Sequence, residues 1–281
     1  MEGGAGGRPL VAPRACAIAG ELEALTPFEL LTNATKLANL LGRLVRGARL
    51  DVAWVESGSN LACEVAGRTL DWSTFPPRLG ARASPPGAAA MASGRAAVAV
   101  EATRRLNSVL GEAAVVGVAL PGPVELAARL PEMDQEDAVD LLLSMVRWFT
   151  EAGAGLVLLS ETGAAPRPED HASLMRPLTT TARFHGALPI LAVPPGWRHR
   201  ADLDKPIEGA IYCFGVDEVA AQSLPGQLAM ATPLPVPPNA VVPQGCVLLT
   251  TVDEITGLVP ASSLGALASS LLTLARPGSA R

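Results

Sequence analysis

The sequence predicts a single (β/α)8 barrel with parallel strands. Three observations lead there: eight short apolar runs, helical patterns between most of them, and Gly-Pro turns or carboxylates where runs end. The unit Val115–Thr162 is the clearest. VVGVAL meets Pro121-Gly122-Pro123, an acidic-to-apolar helix pattern follows, and LVLLS ends at Glu161. A chain of 281 residues suits one such barrel. With no internal repeat and no composition break, 1–281 reads as one domain, residues 1–8 being flexible.

The elements follow in order. The first strand is Leu10–Ala15. Thr26-Pro27 opens a helix, with Thr as cap, Pro at the first helical position and Glu29 in the first turn. Asp51–Val55 is the second strand. Ala81–Gly94, rich in Pro, Gly and Ala, reads as a mobile loop over one barrel end. Val115–Leu120 is the third strand. Met133–Thr150 is a helix with acids early and Arg147 late, as the helix dipole prefers. Gly155–Ser160, Leu188–Val193, Ala210–Phe214 and Leu228–Thr232 continue the strand series. Between Thr232 and Cys246, PLPVPPNAVVPQG carries too much proline for a helix, so the outer helix after the seventh strand is expected to be missing. Val247–Val252 is the eighth strand and Ser262–Ala275 the closing helix.

Composition bounds the function. Hydrophobic residues make up 49% of the chain and aromatics only 4%, so the core is built mostly of Leu, Val and Ala. A net charge of −5 without a basic stripe argues against nucleic acid. The apolar runs fall far short of the ~20 residues of a membrane helix, and MEGGAGGRP has no signal-peptide core. The chain is expected to be soluble and cytoplasmic, and a homodimer is compatible with it. Cys16, Cys63, Cys213 and Cys246 are scattered, which reads as free, buried thiols. His171, His185 and His199 show no zinc spacing, so no metal is expected.

Four segments carry a resemblance. Leu50-Asp51-Val52-Ala53-Trp54-Val55 with Ala62-Cys63-Glu64-Val65-Ala66-Gly67 is the first. Val118-Ala119-Leu120-Pro121-Gly122-Pro123-Val124-Glu125-Leu126-Ala127 is the second. Glu151-Ala152-Gly153-Ala154-Gly155 and Pro260-Ala261-Ser262-Ser263-Leu264 complete the set. Together they resemble the uroporphyrinogen decarboxylase family, which includes corrinoid-linked methyltransferases and shares the barrel of cobalamin-independent methionine synthase. The resemblance implies a cofactor-independent lyase of the decarboxylase type, acting on a carboxylated organic molecule. It also admits methyl transfer with a corrinoid protein as partner. A barrel that binds a ligand or protein without catalysis is a third reading.

The departures from the family pattern narrow this. Pro13-Arg14-Ala15-Cys16-Ala17 keeps one arginine where the decarboxylases have an Arg-rich loop. Gly58 stands where the family has a substrate-binding Asp. Thr251 to Glu254 stand near its late His. Val193-Pro194-Pro195-Gly196-Trp197 replaces the His-x-Cys of the methyltransferases, and no Cys follows Val252. These departures argue against uroporphyrinogen itself and against zinc-thiolate chemistry.

Barrel chemistry collects where strands end. Glu161 and His199 are therefore read as catalytic acids, with Arg198, His199 or a bound ligand as partners of Glu161. The alternative for Glu161 is a surface acid or a partner for a barrel arginine. Glu56, Ser57 and Asn60, with Ser59, follow the second strand and can hydrogen-bond a substrate, or cap a helix. Gly122 brings backbone close to the mouth, beside helix N–H groups that suit an anion; a rigid turn is the alternative. Arg198 can bind a carboxylate, or sit in a solvated loop with Trp197 and Arg200. Tyr212 can face the mouth or bond a buried partner. Asp253 and Glu254, after the eighth strand, are plausible ligand groups. Asp217 and Glu218 read as helix caps, and His171 and His185 as structural. Asp51 begins its strand, at the stability end of a barrel, and is expected to make a structural salt bridge or hydrogen bond.

Overall fold

The computed structural model describes residues 8–58, 60–83, 92–161, 168–193, 207–215, 228–232, 242, 246–251, 254–255 and 260–274. The chain begins with β1 (Leu10–Ala12), a 3-10 segment at Ala17–Glu23, α1 (Pro27–Leu31), α2 (Ala34–Ala48) and β2 (Val52–Glu56). Then come α3 (Leu61–Val65), β3 (Arg68–Asp71), β4 (Arg78–Arg82), α4 (Gly94–Leu110), β5 (Val115–Pro121), α5 (Pro123–Arg129) and α6 (Gln135–Glu151). The second half holds β6 (Leu156–Ser160), α7 (Pro168–Phe184), β7 (Leu188–Ala192), β8 (Ile211–Gly215), β9 (Leu228–Thr232) and β10 (Cys246–Thr251). A 3-10 turn at Ala261–Ser263 leads into α8 (Leu264–Leu274). No described helix is long and apolar enough to cross a membrane.

Eight parallel strands form one sheet in the order β1-β10-β9-β8-β7-β6-β5-β2. The sheet curls into a nearly closed (β/α)8 barrel, and each strand lies within a few residues of its sequence expectation. Both faces are buried, as parallel barrel strands require. Trp54, Leu156, Leu158, Ile190 and Leu248 fill the interior. Val55, Val118, Val157, Leu191 and Phe214 point outward against Leu41, Leu106 and Leu142 of the helices.

β1 and β2 are the two ends of the sheet, and side chains close the seam between them. The Asp51 N–H donates to Val11 O at 3.0 Å, and the Val11 N–H donates to Asp51 Oδ2 at 2.8 Å. Arg8 grips the same carboxylate through two bonds of 2.6 and 2.8 Å. Asp51 thus has the structural role its position predicts. Higher up, Trp54 Nε1 donates to Ala12 O at 2.8 Å.

Local sequence explains the helix starts. Thr26 and Glu29 form a reciprocal capping box, with bonds of 2.8 Å from Thr26 N–H to Glu29 Oε2 and 3.2 Å from Glu29 N–H to Thr26 Oγ1. Asp134 Oδ1 accepts from the Asp137 N–H at 2.8 Å and starts α6.

Two expectations change. The stretch Ala81–Gly94 is not all loop: β4 takes Ala81 and Arg82, α4 starts at Gly94, and 84–91 lie outside the described residues. β3 and β4 pair as an antiparallel hairpin that no apolar run announced. The expected gap in the helix layer after the seventh barrel strand falls on 233–245, of which only Val242 is described.

Gly117 is a packing requirement. A Cβ there would lie 2.7 Å from the Trp54 ring. Gly117→Ala should lower stability by about 1–3 kcal/mol through overpacking, read as an earlier urea midpoint with an unchanged slope. An unchanged midpoint would mean that Trp54 moves aside freely.

Candidate functional site

The C-terminal ends of the strands form the mouth. Val52 and Trp54 share the inward face of β2. Glu56 ends the strand beyond a register shift that follows Trp54, and only 3% of it is exposed. Arg95, from the first turn of α4, reaches it from the side. Arg95 Nη1 lies 3.9 Å from Glu56 Oε2, and both side chains are 4% exposed. Arg95 Nε also donates to Glu64 Oε2 at 2.7 Å. Its guanidinium sits 4.8 Å from the centre of the Trp72 ring, a cation–π contact in a desolvated setting. Trp72 belongs to the β3–β4 turn and contacts Phe28 and Phe75 at 5.5 and 6.4 Å between ring centres.

Glu254 completes this sector. Its Oε1 accepts from the Ala17 N–H at 2.8 Å, and its Oε2 accepts from the Ser57 hydroxyl. Burial pushes the carboxyl up to about 7, with the Glu56 charge adding to the effect and the two donors and Arg14 opposing it. Arg14 is fixed at the end of β1. Its N–H donates to Thr251 Oγ1 at 3.0 Å, and Nε donates to Thr251 O at 2.9 Å. Arg14, Glu56, Ser57, Arg95 and Glu254 thus gather where β1, β2 and β10 end. The sequence reading named Glu56, Ser57 and Glu254 but missed Arg95 and gave Arg14 no role. Their signal was weak: single arginines, far apart, outside any motif.

Glu161 is built differently. It is 1% exposed, and its partners among the described residues are backbone groups; the expected partners Arg198 and His199 lie outside the described residues. Oε1 accepts from the Val124 N–H at 3.1 Å and Oε2 from the Glu125 N–H at 2.7 Å. The carboxylate occupies the start of α5, where the dipole favours an anion. Gly122 is required there because a Cβ would overlap the Glu161 carboxyl. Glu161 lies over Gly122 and takes the neighbouring N–H groups that the sequence offered to an anion. Burial pushes Glu161 up to about 7, against those two bonds and with the Glu125 charge adding to it.

Two further candidates have partners within the fold. Asn60 is one. Its Nδ2 donates to Pro77 O at 2.7 Å, and its Oδ1 accepts from Arg129 Nη1 at 2.7 Å, which ties the hairpin to α5. Tyr212 packs on the helix side of β8, while Ile211 and Cys213 on either side of it point inward. Its hydroxyl accepts from the Ile207 N–H at 3.0 Å. Ser59, Trp197, Arg198, His199, Arg200, Asp217, Glu218 and Asp253 lie outside the described residues.

The thiols are poorly placed for chemistry. All four cysteines are buried and free. Burial raises Cys63 and Cys246 to about 11 and Cys213 to about 12, so the reactive thiolate is scarce. His171 is buried in α7 and pushed down to about 4, which keeps it neutral. Among the described residues, no three His, Cys, Asp or Glu side chains converge as a metal site would need.

Neither a protein-family model nor a curated protein sequence matches this chain. Solved structures do. A methyltransferase from Methanosarcina mazei aligns with a TM-score of 0.71 at 15% identity, over 94% of this chain and 93% of that one. A structure of the pneumococcal virulence factor StrH, described for N-glycan recognition and hydrolysis, aligns with a TM-score of 0.50 at 8% identity, over 95% and 82%. A sugar phosphate isomerase/epimerase from Parabacteroides distasonis gives 0.47 at 11% identity, over 99% of each chain. At these identities the likeness is one of fold.

The Glu161 staple predicts a pH signature. Its folded value of about 7 stands above the ordinary 4.5. The protonated folded form is therefore favoured, and this stabilisation is present below pH 4.5 and lost as pH rises through 7. His171 titrates with the opposite sign, so the informative quantity is a difference. From about pH 4.5 to pH 7, wild-type stability should fall relative to Glu161→Gln by roughly 1–3 kcal/mol. Parallel stability curves for the two proteins across that window would remove Glu161 as a titrating staple.

Proposed function

We propose that this barrel is an enzyme acting on a small or medium carboxylated organic molecule, by a cofactor-independent reaction of the lyase type. The observation that carries the reading is the buried sector of mixed charge at the mouth. Glu56 and Arg95 are almost fully buried, and Arg14 and Glu254 lie beside them on neighbouring strand ends. Burying charge is costly unless the groups are paired or used, and perturbed acids in such a place are functional candidates. The resemblance of the strand-end segments to the uroporphyrinogen decarboxylase family supports the same reaction class.

The roles follow from chemistry. Arg14 and Arg95 neutralise a substrate carboxylate. Loss of carbon dioxide leaves the bonding electron pair on carbon, and that carbon takes a proton from an acid. Glu254, held up to about 7 by burial, carries that proton near neutral pH. Glu161, enclosed behind Gly122, serves the start of α5. His199 remains a candidate second acid from its position in the sequence.

Methyl transfer with a corrinoid protein is the second reading, favoured by the barrel shared with the Methanosarcina mazei methyltransferase. Native mass spectrometry of the purified protein separates the two. A retained organic acid supports the first, whereas retained cobalamin or stoichiometric zinc supports the second. Once a substrate is in hand, Glu254→Gln should lower turnover at least about tenfold, equivalent to roughly 1.4 kcal/mol. Wild-type turnover should decline as pH rises past about 7, where Glu254 loses its proton. Full activity in the variant would remove Glu254 as the acid.

A further inference from the structure

We propose that the cleft between α4 and α6, on the outside of the barrel, binds a free α-amino acid with an apolar side chain. This is a second ligand site, and it does not depend on the reaction assigned to the mouth.

The cavity measures about 270 Å³ and is lined by Ala92, Ala97, Val100, Arg104, Trp148 and Glu151. Drug-sized ligands usually occupy about 300–1,000 Å³, so this volume selects a small molecule. Helical spacing arranges the lining. Ala97, Val100 and Arg104 follow at steps of three and four along one face of α4, and Trp148 and Glu151 stand three apart on α6. The two helices lead directly into β5 and β6, which pair in parallel, so they run the same way. Arg104 and Glu151 therefore lie toward one end of the cleft, and Ala97 and Val100 toward the other. Trp148 packs partly on the core and gives the cleft an aromatic wall. The result is an apolar slot with a cation and an anion at one end.

Neither charge is used up by its neighbours. Arg104 Nη1 makes only a long bond of 3.4 Å to Glu101 Oε2, and Glu101 takes a shorter one of 2.8 Å from Arg105. Glu151 Oε1 accepts from Arg147 Nε at 2.7 Å, and Oε2 accepts no bond among the described residues. The Arg147 bond, with the charges of Arg147, His185 and Arg104, holds the Glu151 carboxyl below the usual carboxylate range against slight desolvation. The anion thus feels Arg104 across the cleft, yet no ion pair joins the two. Glu151 is also the last residue of α6, where the helix dipole disfavours an acid. Its cation lies four residues before it, the weaker order for such a pair. Helix formation does not call for this glutamate.

An α-amino acid near neutral pH carries a carboxylate and an ammonium on one carbon. The carboxylate matches the paired N–H groups of the Arg104 guanidinium. The ammonium then reaches Glu151, and the side chain lies along Trp148, Val100 and Ala97. A plain carboxylic acid would face Glu151 as a like charge, and a plain amine would face Arg104 likewise. The two charges therefore select a zwitterion, and the apolar walls select its side chain.

The test titrates the full-length protein by calorimetry with L-valine, L-leucine and L-phenylalanine at constant ionic strength. Each is compared with the acid that lacks its amino group and the amine that lacks its carboxyl group. At least one amino acid should bind saturably, and its two analogues should bind at least about tenfold more weakly. Arg104→Gln and Glu151→Gln should each weaken binding by a similar factor, as should Ala97→Phe, which fills the cleft. Arg104 and Glu151 are exposed, so the charge variants should fold and decide the matter should Ala97→Phe not. Arg14→Gln, at the mouth, should bind as wild type does. No binding of any of the three amino acids overturns the proposal. Binding that both charge variants retain overturns the cleft as the site, and its loss in Arg14→Gln would place the ligand at the mouth instead. Equal binding of an amino acid and its acid analogue overturns the part given to Glu151.

Discussion

Closure between β1 and β2 is the constraint on which this barrel depends. β1 is only three residues long, and no regular ladder joins it to β2. An open edge in a parallel sheet leaves backbone groups unpaired where water is scarce. Side chains fill the gap at successive levels. Asp51 serves both the amide of Val11 and the side chain of Arg8 at the bottom. Trp54 bonds Ala12 O in the middle. At the top, the Cys16 thiol donates to Val55 O at 3.2 Å, and Glu254 links Ala17 to Ser57. The same seam that needs polar side chains for closure therefore concentrates polar chemistry at the mouth.

That origin separates the two raised carboxyls. Glu161 and Glu254 both accept backbone N–H bonds, and burial raises both to about 7. Glu161 is held against Gly122 and the start of α5 by the Val124 and Glu125 N–H groups. Glu254 lies among Arg14, Ser57 and Glu56, on the strand ends that border the mouth. Similar titration behaviour thus carries different meanings, and the surrounding geometry decides between them.

Much of the fold was legible because strands buried on both faces must be apolar throughout, and turns between them need Gly and Pro. The hairpin was not legible. Its strands, RTLD and RLGAR, are polar and largely exposed, so they lack the pattern that marks a buried strand. Strand parity was also hidden. An uninterrupted apolar run such as IYCFG does not say which residues face in, so Tyr212 was left between the mouth and a buried partner. The oddity of Glu161 was visible in sequence, but its partners were not, since Val124 and Glu125 lie 37 and 36 residues away. Arg95 follows a stretch rich in Pro, Gly and Ala, and only the packing of α4 against the end of β2 brings it to Glu56.

The dual use that the proposed reaction gives Glu254 sets a limit on how this mouth can be tuned. Bonds from the Ala17 N–H and the Ser57 hydroxyl stabilise the ionised carboxylate, while burial and the Glu56 charge oppose it. Strengthening those bonds would tighten the seam and also release the proton at lower pH. Weakening them would hold the proton longer but loosen the junction of β1 with β2. In the proposed reaction, closure of the barrel and availability of a proton at its mouth are thereby coupled through one carboxyl group.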